Sequence, residues 1–176
     1  GKFLIDNAFS NKYAFYDTEE LTKMLQSVLP EAGSQSEPFI VATWPLFNDS
    51  EEEIALAYMG TGGAYVDYYT LCIAQDDKLA LANFRDEDGA IGPHVFSEGA
   101  SVKHEVRLRV YDASPLNFYV CQYQIDRDDG GTISNINVEA YRWNMDAQIF
   151  EFDPDASQQF KEELGNSLNA NKVILA

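Results

Sequence analysis

Residues 102–111 read Val-Lys-His-Glu-Val-Arg-Leu-Arg-Val-Tyr. Val102, His104, Val106, Leu108 and Val110 fall on one side of an extended chain, and Lys103, Glu105, Arg107, Arg109 and Tyr111 on the other. Strict alternation of this kind predicts a strand with one buried and one wet face, which is the habit of antiparallel sheets. Downstream, residues 116–125 supply a hairpin partner. Asp126-Arg127-Asp128-Asp129-Gly130-Gly131 has turn chemistry. Residues 137–143 and 149–152 are the last predicted strands. Upstream, residues 39–44, 54–58, 65–74 and 78–84 are rich in β-forming side chains. Gly60-Thr61-Gly62-Gly63 and Gln75-Asp76-Asp77 read as the turns between them, and residues 87–100 as a surface loop.

A helix is predicted at each end. Asp17 precedes an acidic first turn, and Leu21, Met24, Leu25 and Val28 recur at helical spacing, giving a helix over 18–29. A polar loop over 33–38 follows. Pro154 and Asp155 start the second helix and Gly165 ends it, leaving the apolar tail 172–175 to dock as a short strand. The fold class is mainly β (α+β): an antiparallel sheet domain of about eight strands with an N-terminal and a C-terminal helix. Sandwich, barrel and propeller-like blades all satisfy this pattern. Residues 1–176 read as a single domain.

The chain carries 29 acidic and 12 basic residues, a formal net charge of −17. Nucleic acid is excluded as a partner, since phosphate binding needs a basic footprint. Anionic membrane surfaces are disfavoured by the same sign. A basic protein or a divalent cation suits the charge, and so does plain solubility. No apolar run is long enough for a transmembrane segment. The first residue is Gly1, as in a processed, exported chain. Cys72 and Cys121 fit one disulfide or two buried thiols, and the spacing does not choose.

The acidic run before the second strand offers Asp49, Glu51 and Glu53 as candidate calcium ligands, with Glu52 among them. Asp126 and Asp128 form a second candidate loop, where the next ligand positions fall on Gly130 and Ser134. At both places a solvated turn is the favoured reading, because Asp and Gly serve turns directly. The run Gly60–Gly63 lacks a following Lys-Ser/Thr and leads into a strand, so it is not a phosphate loop. His104 reads as a core histidine, and nothing near His94 in the sequence makes a metal site. Neither a zinc-protease helix motif nor a nucleophile elbow is present. Tyr58, Tyr65, Tyr68 and Tyr69 make either a binding platform or ordinary sheet packing, and Glu52, Tyr65 and Tyr68 are the candidate partner-binding residues. Lys103, Arg107 and Arg109 are a basic stripe, for cross-strand ion pairs or for partner recognition.

Asn48 to Tyr58, the glycines from Gly60 to Gly63, and Tyr141-Arg142-Trp143-Asn144 with Phe150 together resemble small bacterial exported proteins with degenerate FG-GAP-type repeats. In that family an acidic calcium loop precedes an apolar strand and a glycine turn. With Glu53 on its final acid, Asp49 falls on the middle acid, while Pro45, Phe47 and Ser50 occupy three positions where the pattern has Asp, Asn and Gly. The resemblance implies an antiparallel β-unit and a periplasmic or extracellular location. It implies no single activity. The expected function is a non-enzymatic exported binding or interaction domain. An acidic inhibitor or immunity-type protein that blocks a basic enzyme is the alternative, and a carboxylate-dependent glycan hydrolase the second.

Overall fold

Ile54-Ala55-Leu56-Ala57 alternates large and small side chains, and the two sizes have different destinations. Ile54 and Leu56 join a large aromatic core, while Ala55 and Ala57 join a separate cluster beneath a helix. The same device recurs at Val120-Cys121 and at Ala140-Tyr141, where the small residue again faces a helix. Such strands are buried on both faces. Large residues fill one side, and small ones let a helix approach the other.

The computed structural model describes residues 18–30, 33–45, 52–62, 66–75, 78–113 and 117–175. Its elements run α1 (Thr18–Gln26), β1 (Gly33–Pro45), β2 (Glu53–Gly62), β3 (Val66–Gln75), β4 (Lys78–Leu81), β5 (Phe84–Arg85), β6 (Ile91–Gly92), β7 (Val95–Ala100), β8 (His104–Asp112), β9 (Phe118–Arg127), β10 (Ile133–Asn144), β11 (Ile149–Phe152) and α2 (Pro154–Leu175). The mainly β class with a helix near either end is as expected. Among the described residues the strands number eleven rather than about eight, and they form one sheet in the order β1-β2-β3-β7-β8-β9-β10-β11-β5-β6, with β4 on β3. All pairs are antiparallel except β5 with β11.

The sheet curls over its own inner face. Trp44 of β1 meets Phe118 of β9 edge-on, with ring centroids 5.8 Å apart. Residues 78–85 tie its two ends. β4 pairs with β3, the Ala82 N–H donates to Leu71 O, and the Phe150 N–H donates to Asn83 O. Phe84, Phe96, Tyr141 and Phe150 fill the enclosed core. On the outer face, α1 covers β1–β3 with Leu21 and Leu25, and α2 covers β8–β10 with Ala156, Phe160 and Leu164. Cys72 lies under α1 and Cys121 under α2. Both are buried free thiols in separate clusters, so they act as small hydrophobes.

Four boundaries differ from the sequence-based expectation. Residues 33–38 belong to β1, and Gly60–Gly62 continue β2 instead of turning. Gly60 (φ 155°) sits where the β2 register slips, and the ring of Tyr68 lies over Gly62 where a Cβ would be. Residues 87–100 contain β6 and β7, because two- and six-residue strands show too little period to read. Gly165 is inside α2, which carries on through residues 172–175. The start of α2 is locked to the sheet. Asp153 N–H donates to Ala140 O (2.8 Å), Ala140 N–H donates to Ser157 Oγ (2.9 Å), and Asp153 Oδ1 caps the Ala156 N–H (2.9 Å).

Among the described residues β1 is an edge, paired only with β2, and carries Pro38 and Pro45 and two register slips. Missing N–H groups and bulges blunt such an edge against pairing with another chain.

Candidate functional site

The alternation in β8 places Glu105, Arg107, Arg109 and Tyr111 on the outer face. That face is not simply wet, because α2 passes over it. Between the two lies a groove of about 370 Å³. The β8 and β9 residues Glu105, Arg107, Arg109, Tyr111, Tyr123 and Ile125 floor it, and Phe160, Glu163, Leu164, Ser167 and Leu168 of α2 wall it.

Its floor begins at a seam. β7 and β8 share only two paired positions, Gly99 with Val106 and Ala100 with Glu105. Beyond them the strands separate, and side chains take over the missing ladder. Glu98 Oε2 accepts the Leu108 N–H (2.6 Å). Gln122 Oε1 accepts the Ser97 N–H (2.7 Å), while its Nε2 donates to Ser97 O (2.9 Å) and Arg107 O (3.0 Å).

A chain of alternating charges runs from that seam. Arg127 Nη1 donates to Glu105 Oε2 (3.0 Å), Arg107 Nε to Glu105 Oε1 (2.8 Å), and Arg107 Nη1 to Glu98 Oε1 (3.0 Å). Burial alone would raise the Glu105 carboxyl, but hydrogen bonds from Arg107 and Arg127 outweigh it and hold that carboxyl below its usual range. The chain ends on Arg109. Its Nη1 donates to the Leu108 carbonyl (2.8 Å) and stands 3.8 Å from Glu98 Oε2, beyond hydrogen-bond reach. A guanidinium has five N–H donors, so Arg109 keeps most of its capacity for something else.

Beside it lies a phenol pair. Tyr111 pairs across the sheet with Tyr119, and Arg109 with Cys121. The small Cys121 leaves room for Tyr111 and Tyr123 to lean together, and their hydroxyls meet at 2.5 Å. Burial pushes both phenols up, most strongly Tyr123, so both stay protonated at neutral pH. One hydroxyl donates to the other, and the acceptor retains its own O–H. Phe160 stacks on Tyr111 with centroids 4.5 Å apart and planes 6° apart. The groove thus combines the polar groups of Arg109 and the phenols with apolar lining from Ile125, Leu164 and Leu168, Ile125 standing opposite Glu105.

The residues expected from sequence fall elsewhere. Asp49, Glu51 and Tyr65 lie outside the described residues. Glu53 opens β2, opposite Pro45 and Ala74, with Glu52 just before it. Tyr68 is half-buried, packed in the cluster under α1 rather than presented as a platform. His104 is exposed at the end of β8 rather than in the core, and its Nδ1 meets Asp126 Oδ1 at 2.6 Å. That bond, ahead of those from Asn135 and Gln124, holds the Asp126 carboxyl below its usual range. Asp128 Oδ1 accepts the Gly130 and Thr132 N–H groups (2.9 Å each), closing the hairpin turn. Through the strand registers Glu53 and Asp126 sit at opposite ends of the ladder. Among the described residues no group of three or more His, Cys, Asp or Glu side chains is placed to hold a metal ion.

His94 packs against Phe84, Phe96 and Tyr141 with centroids 4.6–5.5 Å away, and burial pushes its pKa down. Of the basic stripe, Lys103 pairs with Asp129 and Arg107 with Glu98 and Glu105. Only Arg109 was both legible in the sequence and left under-partnered. Glu98, Gln122 and the phenol pair were missed, because their roles depend on which strands meet. The spacing of Phe160 and Leu164 was the available hint that α2 would cover this face. Comparison of the chain with protein-family models, curated proteins and solved structures finds no match.

Proposed function

We propose that this chain is a non-enzymatic binding domain whose ligand enters the groove between β8–β9 and α2. The observation that carries the reading is Arg109, an arginine with unused donors on the floor of an amphipathic groove of about 370 Å³. That volume lies in the range of small-molecule sites, which combine apolar walls with a few placed polar groups. The reactive side chains outside the groove support a binding role. Both thiols are buried, with Cys72 pushed up to about 12 by desolvation. His94 is enclosed by aromatic rings, and His104 is engaged by Asp126. Export of the chain, as the FG-GAP-like resemblance implies, belongs to the same proposal.

The test is an NMR titration with small amphiphiles, 1-octanol and octanoate. Saturable shifts at Tyr111, Tyr123, Phe160 and Leu164 are expected, with the probes recovered unchanged. Shifts confined to other surfaces, or conversion of a probe, would overturn the proposal. The inhibitor reading rests on the net charge of −17 alone. Salt-sensitive capture of one basic protein, with the groove signals unmoved, would put it first.

A further inference from the structure

The chemistry of the groove narrows its ligand. We infer that it selects a small amphipathic monocarboxylate, with the carboxylate on Arg109 and the phenol pair and the apolar body against Ile125, Phe160 and Leu164. This rests on the binding reading above and specifies the ligand class for that site.

Three features of the geometry support the anionic head. First, Arg127, Arg107 and Arg109 are strung along Glu105 and Glu98, and Arg109 is the end member of that chain. Glu98 accepts from Arg107 and from the Leu108 N–H, and its contact with Arg109 is a long one at 3.8 Å. A chain of net charge −17 thus presents, in this groove, a guanidinium held by one backbone carbonyl and one long ion-pair contact. Second, the phenol pair can supply one O–H donor. Among the described residues Tyr111 and Tyr123 hydrogen-bond only to each other, so the accepting hydroxyl retains a free proton. Arg109, Tyr111 and Tyr123 line the same groove, and the charge of Arg109 is felt by both phenols. A guanidinium and a neutral O–H converging on one point suit a carboxylate, and charge-assisted bonds of this kind are the strong ones.

Third, the wall sets limits. Glu163 of α2 lines the groove close enough to raise Tyr111, and its Oε1 accepts from Gln159 Nε2 (3.2 Å). That carboxylate opposes negative charge beside Tyr111, so one charge held by Arg109 is tolerated better than two, which disfavours dianions such as phosphate monoesters. Ile125, Phe160, Leu164 and Leu168 supply apolar lining that suits an alkyl or aryl body, beside the polar Glu105, Arg107 and Ser167. A free small molecule is favoured over a peptide C-terminus. The floor consists of side chains on a sheet face, and the nearby seam of β7 and β8 is filled by Glu98 and Gln122, so no backbone edge is offered to a chain.

The experiment compares octanoate with 1-octanol by calorimetry, in the wild type and in Arg109→Gln. Octanoate should bind about tenfold tighter than octanol or better. Arg109→Gln should abolish that preference, bringing the two affinities together. Equal affinities in the wild type, or a preference that survives in the variant, would overturn the carboxylate inference while the groove reading stands. Binding of neither probe would remove both. If Arg109→Gln does not fold, the carboxyl carbon of bound octanoate is followed by NMR in the wild type. A bound pKa below the free value supports the inference, and an unshifted or raised one overturns it.

Discussion

Gly165 stands inside α2, where glycine is the costliest residue after proline. A methyl group built there meets Ile136 Cδ1 at 3.9 Å, an ordinary van der Waals distance. Nothing in the packing requires glycine, so Gly165→Ala should stabilise the protein by about 1 kcal/mol. Thermal melting should show a rise of about 2–4 °C. A fall would mean that α2 needs a closer approach to β10 than the contact implies. Gly62 is the opposite case. The Tyr68 ring occupies the space of its missing side chain, and any Cβ would displace that ring.

At the scale of elements, the seam between β7 and β8 is the unusual join. Gln122 satisfies three backbone groups on two strands with one amide, and Glu98 satisfies a fourth. Gln122→Leu keeps the volume and strands those groups without partners. Leaving buried polar groups unpaired costs about 1–3 kcal/mol each, less where water reaches them. A loss of about 2–4 kcal/mol in denaturant unfolding is expected, with faster amide exchange at Ser97. A neutral substitution would show that the strands close the seam by themselves. The lock at the start of α2 serves a similar end. It ties the helix to Ala140, and so sets the height of α2 above the groove floor.

For the molecule as a whole, the aromatic core fixes the response to alkali. Burial first, then the charges of Asp67 and Glu98, push Tyr69 up to about 12. Burial also raises Tyr123 and Tyr141. The folded state thus holds these protons more tightly than the unfolded state, where a phenol titrates near about 10. Their contribution to stability is complete below about pH 10 and is lost as pH climbs through the folded values, about 12 for Tyr69. Denaturant midpoints should begin to fall above about pH 8.5, where the two thiols titrate in the unfolded chain, and fall more steeply beyond about pH 10 as the phenols follow. Phenolate absorbance of the buried tyrosines should appear together with loss of circular dichroism. Phenolates forming at their ordinary pH in a chain that stays folded would contradict the core assignment.

Local patterning carried the fold class. The alternation in 102–111, the β-rich runs around it and the proline at the start of α2 each act within a few residues, where backbone geometry and side-chain size decide the outcome. Short strands, the continuation of β2 through Gly60 and Gly62, and α2 running past Gly165 escaped that reading, because tertiary packing overrode weak local signals. The groove was half legible. Arg109 announced itself as a cation on a polar strand face, but its under-partnered state depends on Glu98 already being engaged from another strand. The phenol pair needs Cys121 between two tyrosines twelve residues apart in sequence, and both need α2 overhead. Those are long-range coincidences of register. Only the curl of the sheet and the anchoring of the helix could create them.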